Sequence, residues 1–407
     1  MSHSNVTGSF QWMKTINKSN ILNMIRTYGP ISRSEIAKKT KLTPPTITNI
    51  VSELIESNLV RESEIGISKG GRKPILLTIN AEHSFIIGID VGGHHVRAIM
   101  ADLNAEIVVQ HRTSLPDNLT NDYLLQALIE VVQTIINKAN VSKEKIIGIG
   151  VGMHGIVNYQ EGIAVFAPNF HLSDVPIKSF LEDVFQLPTY VENDARALAL
   201  GETWFGHGQG IENVVCVNVG IGIGAGIVIN NRLFHGQHNI AGEIGHMIVD
   251  INGVECSCGS YGCLQTMAGG RSLRDRVIKE ISLGRKTLIV NKVKNDLTKI
   301  TGALIHECAI EGDALSTEVL KEVGSFLGIG VTNLINLINP TKVIIGGGVS
   351  KAENYILEPL SAVVKQRALT PKARETEIVL SKLGDNGTVI GAVTLVLQNV
   401  FSPNLEK

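Results

Sequence analysis

"FIIGIDVGGHHVRAIMADLNAEIVVQ" spans residues 85–110, and its reading decides the fold. An apolar run ends at Asp90, a turn is built on Gly92 and Gly93, and two more apolar stretches follow. The pattern predicts a strand, a tight turn and two further strands. An acid at the end of an apolar strand followed by paired glycines is how several phosphotransferases bring backbone amides close to ATP, since glycine has no side chain to hold the ligand off. Here His94 and His95 follow, where such turns carry small or basic residues. The turn is either a working phosphate loop or the remains of one.

Outward from this stretch, the chain alternates strands and helices. A helix near 120–138 precedes the strand "KIIGIGVGM" (145–153), and a helix-rich return leads to "TYVENDARALALGE" (189–202). A second strand cluster, "NVVCVNVGIGIGAGIVINNRLFHG" (213–236), carries its own glycine turn at Gly220 and Gly222. Helices near 313–339, 353–368 and 386–400 surround the strand "TKVIIGGG" (341–348). Two halves that each open with a strand and a glycine turn predict a duplicated α/β fold with a cleft between two lobes.

Residues 1–80 read differently. Ile21, Leu22 and Ile25 give residues 19–28 helical spacing, and Gly29-Pro30 ends the segment. Ser32 with Glu35 forms a capping box for a second helix, and Thr43 caps a third that has Pro44 at its first position. In the third helix Ile47, Ile50, Val51, Leu54 and Ile55 make one apolar stripe, leaving Thr46, Thr48, Asn49 and Ser52 to point outward. Short polar side chains at the start of the second helix of a helix-turn-helix are suited to base edges. The stretch "LVRESEIGISKGGRKPILLTIN" (59–80) alternates as a hairpin whose tip is Lys69, Gly70, Gly71, Arg72 and Lys73, a wing able to neutralise phosphates or enter a minor groove. Arg33, Thr43, Thr46, Thr48, Asn49, Lys69, Gly71, Arg72 and Lys73 are the expected DNA contacts. The plain alternative is a small helical packing module with a solvated basic loop.

Charge agrees with DNA. Residues 1–80 hold 11 Lys and Arg against 5 Asp and Glu, whereas the remainder hold 26 against 33. A basic head on an acidic body points to a polyanionic partner for the head. With 43% hydrophobic and 18% charged residues, the 407-residue chain has an ordinary globular composition and is long enough for two or three domains. The polar start "MSHSNVTGSFQWMK" does not resemble a signal peptide, and no apolar run would span a bilayer, so a cytoplasmic location is expected. Three of the five cysteines fall within eight positions, which favours metal binding over a disulfide framework.

Those cysteines lie in "GEIGHMIVDINGVECSCGSYGCLQ" (242–265). His246 precedes Cys256, Cys258 and Cys263, and one imidazole with three thiolates completes a closed tetrahedral zinc shell, a structural site with no position left for water. Gly259 and Gly262 let the chain fold back so the sulfurs converge. Buried free thiols are the alternative.

With these motifs in view, the chain resembles the ROK family of repressors and sugar kinases, and its head is similar to that of the family's transcriptional repressor branch. The resemblance implies an amino-terminal winged helix-turn-helix (residues 1–80) and a two-lobed actin-like, ribonuclease-H-like body. The expected lobes are 81–195 and 196–407, with the last helix packing back on the first. It makes Asp194 the counterpart of the kinase base that takes a proton from a sugar hydroxyl. Asn169, Asn193, Glu243, His246 and Gln265 join Asp194 as the sugar-binding set, His246 reaching a hydroxyl through its second ring nitrogen. Helix capping is the plainer account of Asn193.

The same resemblance exposes departures. The family's first loop reads Asp-x-Gly-Gly-Thr-Lys, and here it is Asp90-Val91-Gly92-Gly93-His94-His95; the second reads Gly-Thr-Gly, and here it is Gly220-Ile221-Gly222. Gln265 replaces the usual glutamate. Phosphoryl transfer depends on positioning and charge stabilisation, so these losses predict remnant loops and a protein that is not an enzyme. The expected function is a sugar-responsive repressor of carbohydrate-utilisation genes that binds an inverted-repeat operator as a homodimer or tetramer and takes a sugar or sugar phosphate as effector, with no membrane partner. The alternative is an ATP-dependent sugar kinase with an accessory DNA-binding domain.

Overall fold

The computed structural model describes residues 10–65, 73–116, 118–167, 170 and 172–401, with the side chains of 10–12, 64 and 65 excepted. Helix α1 (Phe10–Tyr28) starts nine residues before the expected segment. Its first turns hold Phe10, Trp12, Met13 and Ile16, and Lys14 Nζ lies 2.6 Å from Glu53 Oε1 on a later helix, a contact that local spacing does not reveal. Strand β1 (Ile31–Ser32), α2 (Arg33–Thr40) and α3 (Pro44–Glu56) follow. The capping box at Ser32 and Glu35 and the Thr43 cap with Pro44 at the first helical position both form. Strands β2 (Val60–Ile65) and β3 (Ile75–Ile79) pair antiparallel and, with β1, make the head's three-stranded sheet.

The body opens with β4 (Phe85–Gly92), β5 (His95–Asp102) and β6 (Ile107–Ser114), then α4 (Asn121–Ala139) and β7 (Ile146–Met153). The return to residue 189 is not mainly helical: β8 (Ile156–Asn158), β9 (Ile163–Ala167) and β10 (Leu172–Val175) form a small antiparallel sheet before α5 (Ile177–Phe185). Strand β11 (Thr189–Asn193) runs straight into α6 (Asp194–Phe205).

The second lobe repeats the plan. Strands β12 (Val214–Val219), β13 (Ile223–Ile229) and β14 (Arg232–Leu233) lead to the short α7 (Leu264–Ala268) and to α8 (Gly270–Ser282). Helices α9 (Leu288–Lys292), α10 (Gly302–Ile310) and α11 (Ala314–Ile338) precede β15 (Lys342–Gly346), then come α12 (Asn354–Arg367), α13 (Pro371–Arg374), β16 (Glu377–Leu380) and α14 (Gly387–Phe401).

Duplication is visible in strand order. One sheet runs β6-β5-β4-β7-β11 and the other β14-β13-β12-β15-β16, so the first three strands of each lobe form a meander and the fourth and fifth add in parallel on the far side of the first. Each meander's first turn is a glycine turn, and both face the interlobe cleft. Separate apolar cores fill the lobes. A third core joins α1, α2 and α3 of the head to α14, which itself lies on the first lobe's sheet, so head and body share buried surface. Among the described residues no helix is long and apolar enough to cross a membrane.

Candidate functional site

Asp194 stands where β11 becomes α6. Asn193 caps that helix, its Oδ1 accepting from the Ala195 and Arg196 amides at 3.0 and 3.1 Å while its Nδ2 donates to Gly155 O at 2.9 Å. The side chain also donates to Asp194 Oδ1 at 3.0 Å, so its polar atoms are engaged within the protein. The cap leaves Asp194 as the first helical residue, its carboxylate over the positive end of the helix dipole. Asp194 Oδ1 accepts from Ala195 N at 2.9 Å; Oδ2 accepts from Asn218 Nδ2 at 3.2 Å and lies 3.6 Å from His154 Nδ1. Asn218 belongs to β12 and His154 follows β7, so the two lobes converge on one carboxylate.

The cleft around it measures about 1960 Å³ and is lined by Asp90, Asn193, Asp194, Glu243, His246 and Gln265 together with both glycine turns. Burial, and then the charge of Asp194, pushes the Asp90 carboxyl up to about 7. Glu243 is raised for the same two reasons in the same order. For His154, burial pulls the imidazole down, but the hydrogen bond and charge of Asp194 outweigh it and leave it above its ordinary value. Three carboxyl groups and an imidazole thus line one pocket and offer both donors and acceptors, which a polyhydroxylated ligand requires.

A buried ion pair braces this wall. Arg196 Nε donates to Glu192 Oε1 at 2.7 Å, and both side chains are at most 2% exposed. His235 Nε2 lies 2.6 Å from Glu192 Oε2, with Tyr159 stacked on its ring at 3.9 Å. Arg196 Nη1 also donates to the carbonyls of Asn239 and Ala241 at 3.0 and 3.3 Å, fixing the loop that delivers Glu243.

The glycine turns face each other without a bridging cation at position 94, 95 or 221. A β-carbon built on Gly93 would lie 1.9 Å from Ile221 Cδ1, so the isoleucine packs directly against the opposite turn. His95 folds back over Gly92 and receives a hydrogen bond at Nδ1 from Arg112 Nη2 at 3.0 Å. Burial and the Arg112 charge hold its imidazole down at about 4, hence neutral at pH 7.

His246, Cys256, Cys258 and Cys263 converge, with their donor atoms all within 4.8 Å of one another. His246 Nδ1 is 3.7 Å from Cys256 Sγ, and Cys258 and Cys263 sulfurs are 3.8 Å apart. The chain reverses at Gly262, where φ is +67° and a β-carbon would meet Asp250 O at 1.5 Å. Such a His/Cys3 set fits a soft tetrahedral cation. Gln265 turns its amide toward the cluster, donating to Cys256 Sγ at 3.1 Å.

In the head, Thr43, Thr48 and Asn49 are exposed and Thr46 half-buried at the start of α3. The Thr43 and Thr46 hydroxyls bond each other at 2.8 Å, and Thr48 Oγ1 donates to Pro44 O at 3.0 Å. Arg33 pairs with Glu62 at 2.8 Å, and Lys73 is exposed. Lys69, Gly71, Arg72 and Asn169 lie outside the described residues.

Sequence reasoning missed His154, Asn218 and the Glu192–Arg196–His235 cluster. Only the four-residue spacing of Glu192 and Arg196 carried a local signal; the others depend on lobe closure.

Residues 86–399 match the ROK family, and residues 15–61 match a winged helix-turn-helix DNA-binding family. The chain is 35% identical to a xylose repressor of Caldicellulosiruptor bescii, covering 97% of this chain and 98% of that protein. It is 32% identical to the DNA-binding transcriptional dual regulator NagC of Escherichia coli K12, over 96% and 94% of the two chains. Among solved structures, a ROK family transcriptional regulator described as a homologue of the E. coli MLC protein superposes with a TM-score of 0.82 at 29% identity, over 96% of this chain and 97% of that one. A ROK glucokinase from Streptomyces griseus, in complex with glucose and AMPPNP, gives 0.71 at 30% identity over 77% of this chain and 99% of its own. A kinase-like body that lacks the regulator's head, and regulators that match from end to end, identify this chain as a member of the ROK family with an amino-terminal winged helix-turn-helix.

Proposed function

We propose that the protein is a sugar-responsive transcriptional regulator, a repressor of carbohydrate-utilisation genes, which binds a sugar in a kinase-like cleft without phosphorylating it. One observation carries the reading: Asp194 is held as an acceptor by groups from both lobes, while the facing glycine turns meet through the hydrocarbon of Ile221. A phosphoryl group needs donors and cations, and positions 94, 95 and 221 carry no Lys, Arg or hydroxyl, although Arg97, Arg112, Arg271, Arg274 and Lys351 line the wider cleft; on this reading the carbohydrate half of the site is kept without the phosphate half.

In this reading Asp194, Glu243, His246 and Gln265 bind the sugar, with Asn193 holding Asp194 in place and Asn169 adding a contact. Asp90, Gly92, Gly93, Gly220 and Gly222 are vestiges of nucleotide loops. His246, Cys256, Cys258 and Cys263 would hold Zn2+, which supplies a structural cross-link to the knot. His246 Nδ1 faces the sulfurs, which supports a role for its other nitrogen in the cleft. Residues 1–80 form the DNA-binding domain, 81–195 and 196–407 the two lobes, and a cytoplasmic homodimer or tetramer grips an inverted-repeat operator through α3 and the wing. Sugar bound between the lobes favours a state in which paired heads no longer match the half-site spacing, so operator affinity falls.

The test is calorimetric titration of zinc-loaded protein with D-xylose, D-glucose, N-acetylglucosamine and their phosphates, followed by operator binding with each ligand that binds. Saturable heat that disappears in Asp194→Ala supports the reading, and heat from none of them overturns it. Retention of Asp194 and the likeness to a glucokinase favour a kinase as the second reading; sugar-dependent ADP release abolished in Asp194→Asn would establish it.

A further inference from the structure

Helix α6 has a different partner at each end. At its start Asp194 faces the cleft; at its finish Trp204 lies under the head. Ten helical steps separate those places by about 15 Å of stiff rod. The guanidinium of Arg26, on α1, sits 4.0 Å above the centre of the Trp204 ring and 5.8 Å from that of Phe401, the last residue of α14. The two aromatic rings meet edge to face at 6.0 Å. Ser19 and Asn23, also on α1, both donate to the carbonyl of Phe401, the asparagine at 2.7 Å. Arg26 pairs with no carboxylate among the described residues; Nε donates to Asn23 Oδ1 at 3.4 Å, and burial lowers the guanidinium to about 10.

Between its ends α6 is clamped to α14. A β-carbon on Gly391 would lie 1.8 Å from Ala197 O, and one on Gly201 would lie 2.8 Å from Gly387 O, so the two backbones touch. Glu202, fully buried on α6, accepts from Ser381 Oγ at 2.6 Å and from Leu383 N at 3.1 Å, joining the helix to the segment that leads into α14. Helices in such contact move as one body, since neither can slide without a steric clash. Near the cleft end, Arg196 adds the loop that delivers Glu243 to the same body.

We propose that the α6–α14 pair is the relay between cleft and head, with Asp194 as its input and the Arg26–Trp204–Phe401 joint as its output. A ligand that draws Asp194 toward one lobe tilts the pair, and the tilt reaches α1 through a cation held between rings rather than through a flexible linker. A cation over aromatic faces suits the task, because its attraction varies gradually as the rings turn. The relay rests on the reading of the cleft as a sugar site.

The test uses the full-length protein and whichever of D-xylose, D-glucose, N-acetylglucosamine and N-acetylglucosamine 6-phosphate gives binding heat. Amide hydrogen exchange is followed in residues 19–28 with and without that sugar, in the natural protein, Arg26→Gln and Arg26→Lys. The relay predicts an exchange change of at least about threefold in the natural protein. It predicts a clearly smaller change in Arg26→Gln, in which the shared core and the bonds to the Phe401 carbonyl remain, although sugar affinity stays within about twofold, and partial recovery in Arg26→Lys, which keeps a cation over the ring. Should Arg26→Gln fail to fold, Trp204→Leu, which keeps apolar bulk but removes the ring face, is read in the same way. A sugar that binds yet leaves α1 unchanged, or changes it equally in the variant, overturns the relay while leaving the sugar reading intact. Absence of heat from all four sugars removes both.

Discussion

The two ends of the cleft are built to different standards. At the Asp194 end, the carboxylate is held by Asn193, Asn218 and the Ala195 amide, with His154 close by, and the wall behind it contains a buried ion pair and a His/Cys3 knot. At the glycine turns, an isoleucine side chain rests against a glycine, and Asp90 is a crowded carboxyl pushed up to about 7. The Asp194 carboxylate is met by donors from both lobes, whereas the Asp90 carboxyl is opposed by burial and by the charge of Asp194. On the proposed reading, that contrast follows from a site in which the demand for phosphate stabilisation has lapsed. Substitutions at the first end should therefore destabilise, and one at the second should stabilise.

The largest effect is expected from Cys263→Ser. Loss of one thiolate should empty the knot of zinc and lower the melting temperature by about 10 °C or more, with sugar binding lost alongside. Metal content by emission spectrometry and thermal melts check this; unchanged zinc would remove the knot from the account. Next comes Arg196→Met, which strands Glu192 in the core and should cost about 3 kcal/mol, measured by urea unfolding. Burial alone would raise Glu192, but the His235 hydrogen bond and the Arg196 charge bring it below the ordinary carboxylate range. A depressed acid contributes stability above its unfolded pKa that is lost as pH falls through the folded value. The gap between natural protein and Arg196→Met should accordingly be full at pH 7 and narrow below about pH 4.5.

Asp90→Asn sharpens the contrast from the other side. An acid raised on folding weakens the folded state once pH climbs above its unfolded pKa, and the penalty is complete above the folded one. The variant should be more stable than the natural protein by about 2 kcal/mol at pH 8, a figure reduced for solvent screening, with no gain near pH 4. Melts across that range decide it, and a loss at pH 8 would mean that Asp90 holds something the account omits. The smallest effect is assigned to Ile221→Thr, which should cost about 1 kcal/mol in stability through lost apolar contact and confer no ATP hydrolysis.

Local chemistry made much of this legible in the sequence. Ser32 with Glu35, and Thr43 with Pro44, cap their own helices, so the head's helix-turn-helix could be read without tertiary information. The cysteine spacing with a preceding histidine and the paired glycine turns were equally self-contained. What escaped notice depends on distance. Residues 156–175 looked like part of a helical return because their strands are short and pair only with each other. His154 and Asn218 matter because two lobes bring them to Asp194, and Arg26 because a helix more than 170 positions away ends beneath it. The first turns of α1 hold Phe10, Trp12, Met13 and Ile16, and Lys14 in them pairs with Glu53 of α3.

The central claim is that the cleft holds sugar and transfers no phosphate. The direct measurement incubates zinc-loaded protein with radiolabelled ATP, Mg2+ and a sugar shown by calorimetry to bind, and separates the products. The account predicts sugar phosphate no higher than in a protein-free blank. Product that accumulates with time and vanishes in Asp194→Asn would contradict it.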